Sequence, residues 1–170
     1  MNERGLTLIE LCVVILIVAI LLASGAAALL RARTAGNESA AAAALRTINS
    51  AQLAYATACG AGSYATSLPV LSTIPPGNSQ GYLSEDLGSA PAPQRSGYTF
   101  NLMPGAGGAA APADCNGVAT QTRYYAIAVP VLLGNTGTRS FATNQDGAVW
   151  QAEGGVPPSE PFGPPAQPVQ

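Results

Sequence analysis

Few side chains in this sequence can do chemistry, and their spacing narrows what that chemistry is. Among 170 residues there is no His, and all seven basic residues are Arg. Ser–His and Cys–His catalysis and His-type metal sites therefore have no participants. The three cysteines, Cys12, Cys59 and Cys115, form no C-x-x-C pair, which removes the usual zinc and dithiol readings. Glu85 and Asp86 are adjacent acids with no third oxygen ligand in view, and they read as acids on a solvated turn. Asp146 precedes Gly147, a hairpin-turn pair, and reads as a turn residue rather than a catalyst or calcium ligand. One carboxylate is different. Glu10 lies inside an apolar stretch, after Leu6, Leu8 and Ile9 and before a long run beginning at Leu11.

The element that must carry Glu10 is a helix. Residues 11–30 are almost unbroken in apolar character, and about 20 such residues cover a bilayer core. Nothing else in the chain is large enough to bury such a helix on all sides. An ordinary secretory signal is the alternative, with Ala26-Ala27-Ala28 as its cleavage site. The apolar core is longer than the roughly 7–15 residues of such signals, and the segment before it is unusually short. A carboxylate at the centre of a membrane helix costs about 2.5–3.5 kcal/mol. Glu10 has two readings: a side chain at the helix start that reaches the interface, or a charge that needs a cationic partner in dry surroundings.

The run Gly5-Leu6-Thr7-Leu8-Ile9-Glu10, followed by its apolar stretch, resembles the prepilin peptidase site of type IV pilins and type II secretion pseudopilins. The resemblance implies a cut between Gly5 and Leu6, N-methylation of Leu6, and use of Glu10, with Thr7 beside it, in filament assembly. Leu6 and Glu10 stand at i and i+4, on one helix face. A new Leu6 amine on one subunit would neutralise Glu10 of another, strongly so where screening is weak. The sequence departs from the family at three points. Leu6 replaces the usual Phe, the customary helix-kinking Pro is missing, and Arg31 and Arg33 after the apolar run outnumber Arg4 before it. The positive-inside rule therefore gives no support to the N-in orientation that processing requires. Cys12 reads as a small apolar filler.

Composition fits an anchored chain. Hydrophobic residues make up 48% and charged residues only 9%, against about 25% charged in a typical soluble domain. The net charge of −2 and the scattered Arg residues offer no basic stripe, so there is no strong nucleic-acid signal. Aromatics are 6%, which predicts a small core.

Beyond the apolar run, an Ala-rich segment continues the helix to Gly60. Ala41, Leu45, Ile48, Gln52, Tyr55 and Cys59 recur on one helical stripe, expected to pack on a sheet. Residues 63–96 read as a long connection pinned by apolar pieces at 68–71 and 82–87. Strands are expected at 97–103, 122–133, 139–143 and 148–151, with Pro130 marking an edge or a strand end. Residues 103–117, rich in Gly, Ala and Pro, read as a mobile loop, and the Pro-rich 153–170 as a polyproline-like or disordered tail. Outside the cytoplasm Cys59 and Cys115 are a candidate disulfide, the alternative being two free thiols. A closed loop of about 57 residues would contribute on the order of 4 kcal/mol.

The expected fold class is therefore α+β and pilin-like: a long N-terminal membrane-spanning helix packed on a small antiparallel sheet of about four strands. Residues 1–5 form the leader, 6–30 the membrane and assembly half of the helix, and 31–60 its amphipathic half. Residues 61–152 form the head and 153–170 the tail. The expected function is a structural filament subunit, not an enzyme, with no cofactor. Its partners would be further copies and other pilins, prepilin peptidase, an inner-membrane assembly platform and, before assembly, the lipid bilayer. The precursor would sit in the bacterial inner membrane with its head outside the cytoplasm. A secretion pseudopilin, or a minor or priming subunit with a ligand-binding head, remains as the alternative.

Overall fold

The computed structural model describes residues 7–169, with the side chains of 21–27 outside the described set. A single helix, α1 (Leu8–Ala58), dominates its first third. At about 1.5 Å per residue, its 51 residues make a rod roughly 75 Å long. Ala-rich sequence with no Pro lets it run without a break. It ends where Gly60 N–H donates to the Tyr55 carbonyl and Gly62 N–H reaches back to that of Ala56, at 2.8 Å each. The chain turns there through left-handed backbone at Ala61 and Gly62, the usual way a helix satisfies its last carbonyls.

All six stripe residues are buried, from Ala41 on α1 to Cys59 at its C-cap. They meet a six-stranded antiparallel sheet in the order β2 (Gln94–Arg95), β3 (Tyr98–Pro104), β6 (Tyr124–Pro130), β7 (Arg139–Asn144), β8 (Val149–Glu153), β9 (Gln167–Pro168). Alternation in β3 and β6 sends Tyr98, Phe100 and Leu102 and then Tyr124, Ala126 and Ala128 inward. Large residues sit opposite small ones, Phe100 against Ala128 and Leu102 against Ala126. With Ala41, Ala42 and Ala44 on the facing helix, this lets the layers approach closely. Each fully buried Leu, Ile or Phe contributes about 1.5–3 kcal/mol, which is how a head poor in aromatics is held.

The connection is pinned as its apolar pieces suggest. Short helices α2 (Leu68–Ser72) and α3 (Glu85–Gly88) bury Leu68, Leu71 and Leu87 in the same core. Glu85 and Asp86 are exposed, and Asp86 pairs with Arg95 at 2.9 Å. Asp146 lies in the β7–β8 turn, its N–H on the Asn144 side chain, and Gly147 there has φ 80°.

Three expectations need correction. The main sheet has six strands rather than about four, because the two-residue β2 and β9 extend its edges. A second antiparallel sheet, β1 (Tyr64–Ala65), β5 (Thr120–Gln121) and β4 (Ala110–Ala111), takes up part of the segment read as a mobile loop. The Pro-rich tail is folded. Tyr125 O–H donates to the Pro158 carbonyl, Ala106 N–H and Asn144 donate to Glu160, and Phe162 stacks on Trp150 at 5.6 Å. Among the described residues no helix is long and apolar enough to cross a membrane.

Candidate functional site at the start of the long helix

The first turn of α1 is built by Thr7. Its backbone is extended (φ −77°, ψ 150°), and its hydroxyl accepts the Glu10 N–H at 3.3 Å. This is an N-cap, which satisfies one of the helix's free N–H groups. It sets Glu10 in the first turn, where the helix dipole favours a carboxylate. A Thr-x-x-Glu pattern ahead of an apolar run is the local signal for such a cap. Gly5 and Leu6, the expected cleavage and methylation residues, lie outside the described residues, and so does any geometry between Leu6 and Glu10.

Every described side chain from Thr7 to Ile20 is exposed. Leu8 is 81% exposed and even Val18, the most covered of the large ones, is 47%. The Glu10 carboxylate thus sits on a rod that is apolar all round and uncovered by its own chain. Cys12 is a free, exposed thiol on that rod.

Side-chain contacts and a disulfide lock the head to the other half of the rod, level by level. The buried Glu38 accepts Thr138 N–H and O–H at 2.8 Å each and Arg139 Nε–H at 2.8 Å. Burial alone would raise the Glu38 pKa, but the Thr138 N–H, the Arg139 guanidinium and the Thr138 hydroxyl outweigh it and hold the carboxyl below its usual range. Next, Asn49 bonds Thr143 and Tyr124 at 2.8 Å each. Then Gln52, the polar member of the stripe, accepts Ala65 N–H at 2.9 Å and donates to the Ala65 carbonyl at 3.1 Å. It serves β1 as a neighbouring strand would.

At the top, Cys59 and Cys115 form a disulfide with Cα atoms 4.9 Å apart. Cys115 N–H also donates to the Cys59 carbonyl at 3.0 Å. Beside it, Tyr55 O–H donates to the Asp114 carboxylate at 2.7 Å. Burial opposes the Asp114 charge, yet the Tyr55 hydroxyl and the N–H groups of Val118, Asn116 and Gly117 hold its pKa below the ordinary value. The Glu38 and Asp114 contacts span 100 and 59 residues of sequence, and no local pattern announces either.

Comparison with known proteins adds one finding at this end of the chain. Residues 1–26 match the prokaryotic N-terminal methylation motif, which is characteristic of type IV pilins and pseudopilins. No curated protein and no solved structure matches the chain.

Proposed function

We propose that this protein is a structural subunit of a type IV pilin-type filament. In this reading prepilin peptidase cuts between Gly5 and Leu6, Leu6 is N-methylated, and the subunit polymerises through the first half of α1. The observation that carries the reading is the uncovered apolar rod of residues 8–20, which lies within the segment that matches the methylation motif. A helix apolar on every side is stable only in apolar surroundings. Lipid supplies them before assembly, and the same segments of other copies supply them afterwards. Residues 8–30 of the helix are about 35 Å long at 1.5 Å per residue, enough for a bilayer core of about 30 Å.

Glu10 then provides register. Lipid and packed apolar helices solvate a carboxylate poorly. The cationic Leu6 amine of an adjoining subunit satisfies it, so the axial stagger that brings the two together is favoured over slipped packings. The head is fixed along the second half of the rod, from Glu38 to Cys59, so each subunit adds as one body.

The test is Glu10→Ala expressed as the sole subunit. Processing should persist, because the cut site is intact, while sheared filaments disappear and the mature chain accumulates in the membrane. Normal filament yield from this variant would contradict the role of Glu10.

A further inference from the structure

The end of the head nearest the N-terminal half of α1 carries a cluster of exposed apolar side chains. Among the described residues beyond position 50, seven large apolar side chains are exposed, and four of them are here: Val131, Leu132, Leu133 and Val156. Leu132 and Leu133 are each 57% exposed and Val156 is 78%. The first three open the β6–β7 loop. Val156 follows Gly155, where an added Cβ would stand 3.9 Å from Leu133 Cδ2, and Gly154 N–H donates to the Thr138 carbonyl. The cluster is thus one surface, and residues 131–138 contain no charged side chain.

This loop is held at a fixed height on the rod. Asn37 donates to the Thr136 carbonyl at 3.0 Å, and the Thr34 hydroxyl proton is shared between the Leu30 carbonyl at 3.0 Å and that of Asn135 at 3.2 Å. Gly134 and Thr138 line one groove with Leu30, Arg31 and Thr34. Leu30 ends the apolar run, and Thr34 stands about 6 Å beyond it at 1.5 Å per residue. The headgroup layer on each side of a bilayer core is about 5–8 Å thick. A helix that spans with its apolar run therefore brings this loop to headgroup depth.

Two further features fit lipid. The loop's backbone is largely satisfied from within: Val131 N–H donates to Gly97, Leu132 N–H to the Thr136 hydroxyl, and Gly134 N–H to Gly137, while the Leu132 carbonyl accepts Asn135 and Thr136. Entering a poorly hydrated layer leaves those groups paired, which unpaired backbone would oppose. At the same level Arg31 and Arg33 are exposed and make no ion pair among the described residues, so two guanidinium groups face the depth at which phosphates lie.

We infer that Val131, Leu132, Leu133 and Val156 form a bilayer-docking surface: in the unassembled subunit they enter the headgroup–acyl boundary of the outer leaflet, with Arg31 and Arg33 on lipid phosphates. Apolar side chains enter that boundary as an interfacial helix does. Docking seats the head upright on the membrane, and extraction into a filament must lift this surface out of lipid. The inference rests on the membrane-anchored reading of α1.

The experiment uses the processed full-length chain in bilayers of phosphatidylcholine and phosphatidylglycerol with brominated acyl chains, which quench tryptophan on contact. The native Trp150 lies on β8, stacked under Phe162, and reports the far part of the sheet. Leu132→Trp and, separately, Leu16→Trp are placed in a Trp150→Phe background. The expected result is a blue shift and loss of emission for Leu132→Trp, strongest with bromines near the headgroup, loss for Leu16→Trp, and none for Trp150 in the unaltered chain. Quenching of Leu16→Trp without Leu132→Trp would overturn docking and leave the anchor intact. A Leu132→Trp blue shift that grows with protein density and ignores bromine would assign the surface to a second copy and overturn the lipid reading. No quenching at either position would overturn the anchor and the docking together.

Discussion

Glu38 of the long helix and Arg139 at the start of β7 are joined by a guanidinium–carboxylate pair, Nε to Oε2 at 2.8 Å, across 101 residues of sequence. The pair fixes where along α1 the sheet begins, and so where the head stands relative to the apolar half of the rod. Glu38 is buried, while the Arg139 side chain is 35% exposed, so the pair keeps part of its contact with water. Removing one partner of a fully buried pair costs about 3–5 kcal/mol; with Arg139 partly in water, the expectation for Glu38→Ala is the lower end, about 3 kcal/mol. Thermal unfolding of the full chain in detergent measures it.

The same carboxylate sets a pH dependence, together with Asp114. Both have lowered pKa values in the fold, from ordinary values of 4.5 and 3.8. A group that binds its proton less tightly when folded stabilises the fold above its unfolded pKa and loses that contribution as pH falls through the folded one. Head stability should therefore be level above about pH 5 and decline in acid through the carboxylate range. Glu38→Gln should be less stable at neutral pH and show a shallower acid decline. An acid limb identical to that of the parent chain would contradict the assignment.

Gln52 gives a prediction of opposite character, since the stripe position looks suited to an apolar residue. Gln52→Leu removes the acceptor for Ala65 N–H, which is fully buried. An unpaired buried donor costs about 1–3 kcal/mol, so the more hydrophobic side chain should destabilise the head. Amide hydrogen exchange should quicken first at Ala65. A neutral or stabilising effect would show that Gln52 is not the partner holding β1.

The disulfide closes the top of the head. Replacing Cys59 and Cys115 together by Ser should lower stability by about 4 kcal/mol in the chain-entropy account. Reductant should bring the unaltered chain to the same unfolding temperature and leave the double variant unmoved. Cys12 stays free in both, which the count of alkylated thiols checks.

What the sequence made legible follows from which forces leave a local pattern. The stripe from Ala41 to Cys59 repeats with the helix, and β3, β6, β7 and β8 alternate or flank an Asp-Gly turn, so both were open to reading. The strands that were missed, such as Gln94–Arg95, Thr120–Gln121 and Gln167–Pro168, are two residues long and hold their places by backbone pairing. Two residues carry no period. The tail misled for a related reason: its prolines suggest solvated chain, but Glu160 and Phe162 fasten it to partners far away in sequence. At the site, Glu10 stood out because a carboxylate in an apolar run is costly. Glu38 and Asp114 carry no such local signal, because their partners Arg139 and Tyr55 are far away in sequence.

The most direct test of the central claim is the mass and N-terminal residue of the mature protein, taken from membranes of cells with and without prepilin peptidase. The account predicts a chain that begins at N-methylated Leu6 when the peptidase is present and keeps residues 1–5 when it is absent. A chain that begins at Met1 in both, or one cut among residues 28–35, would contradict it.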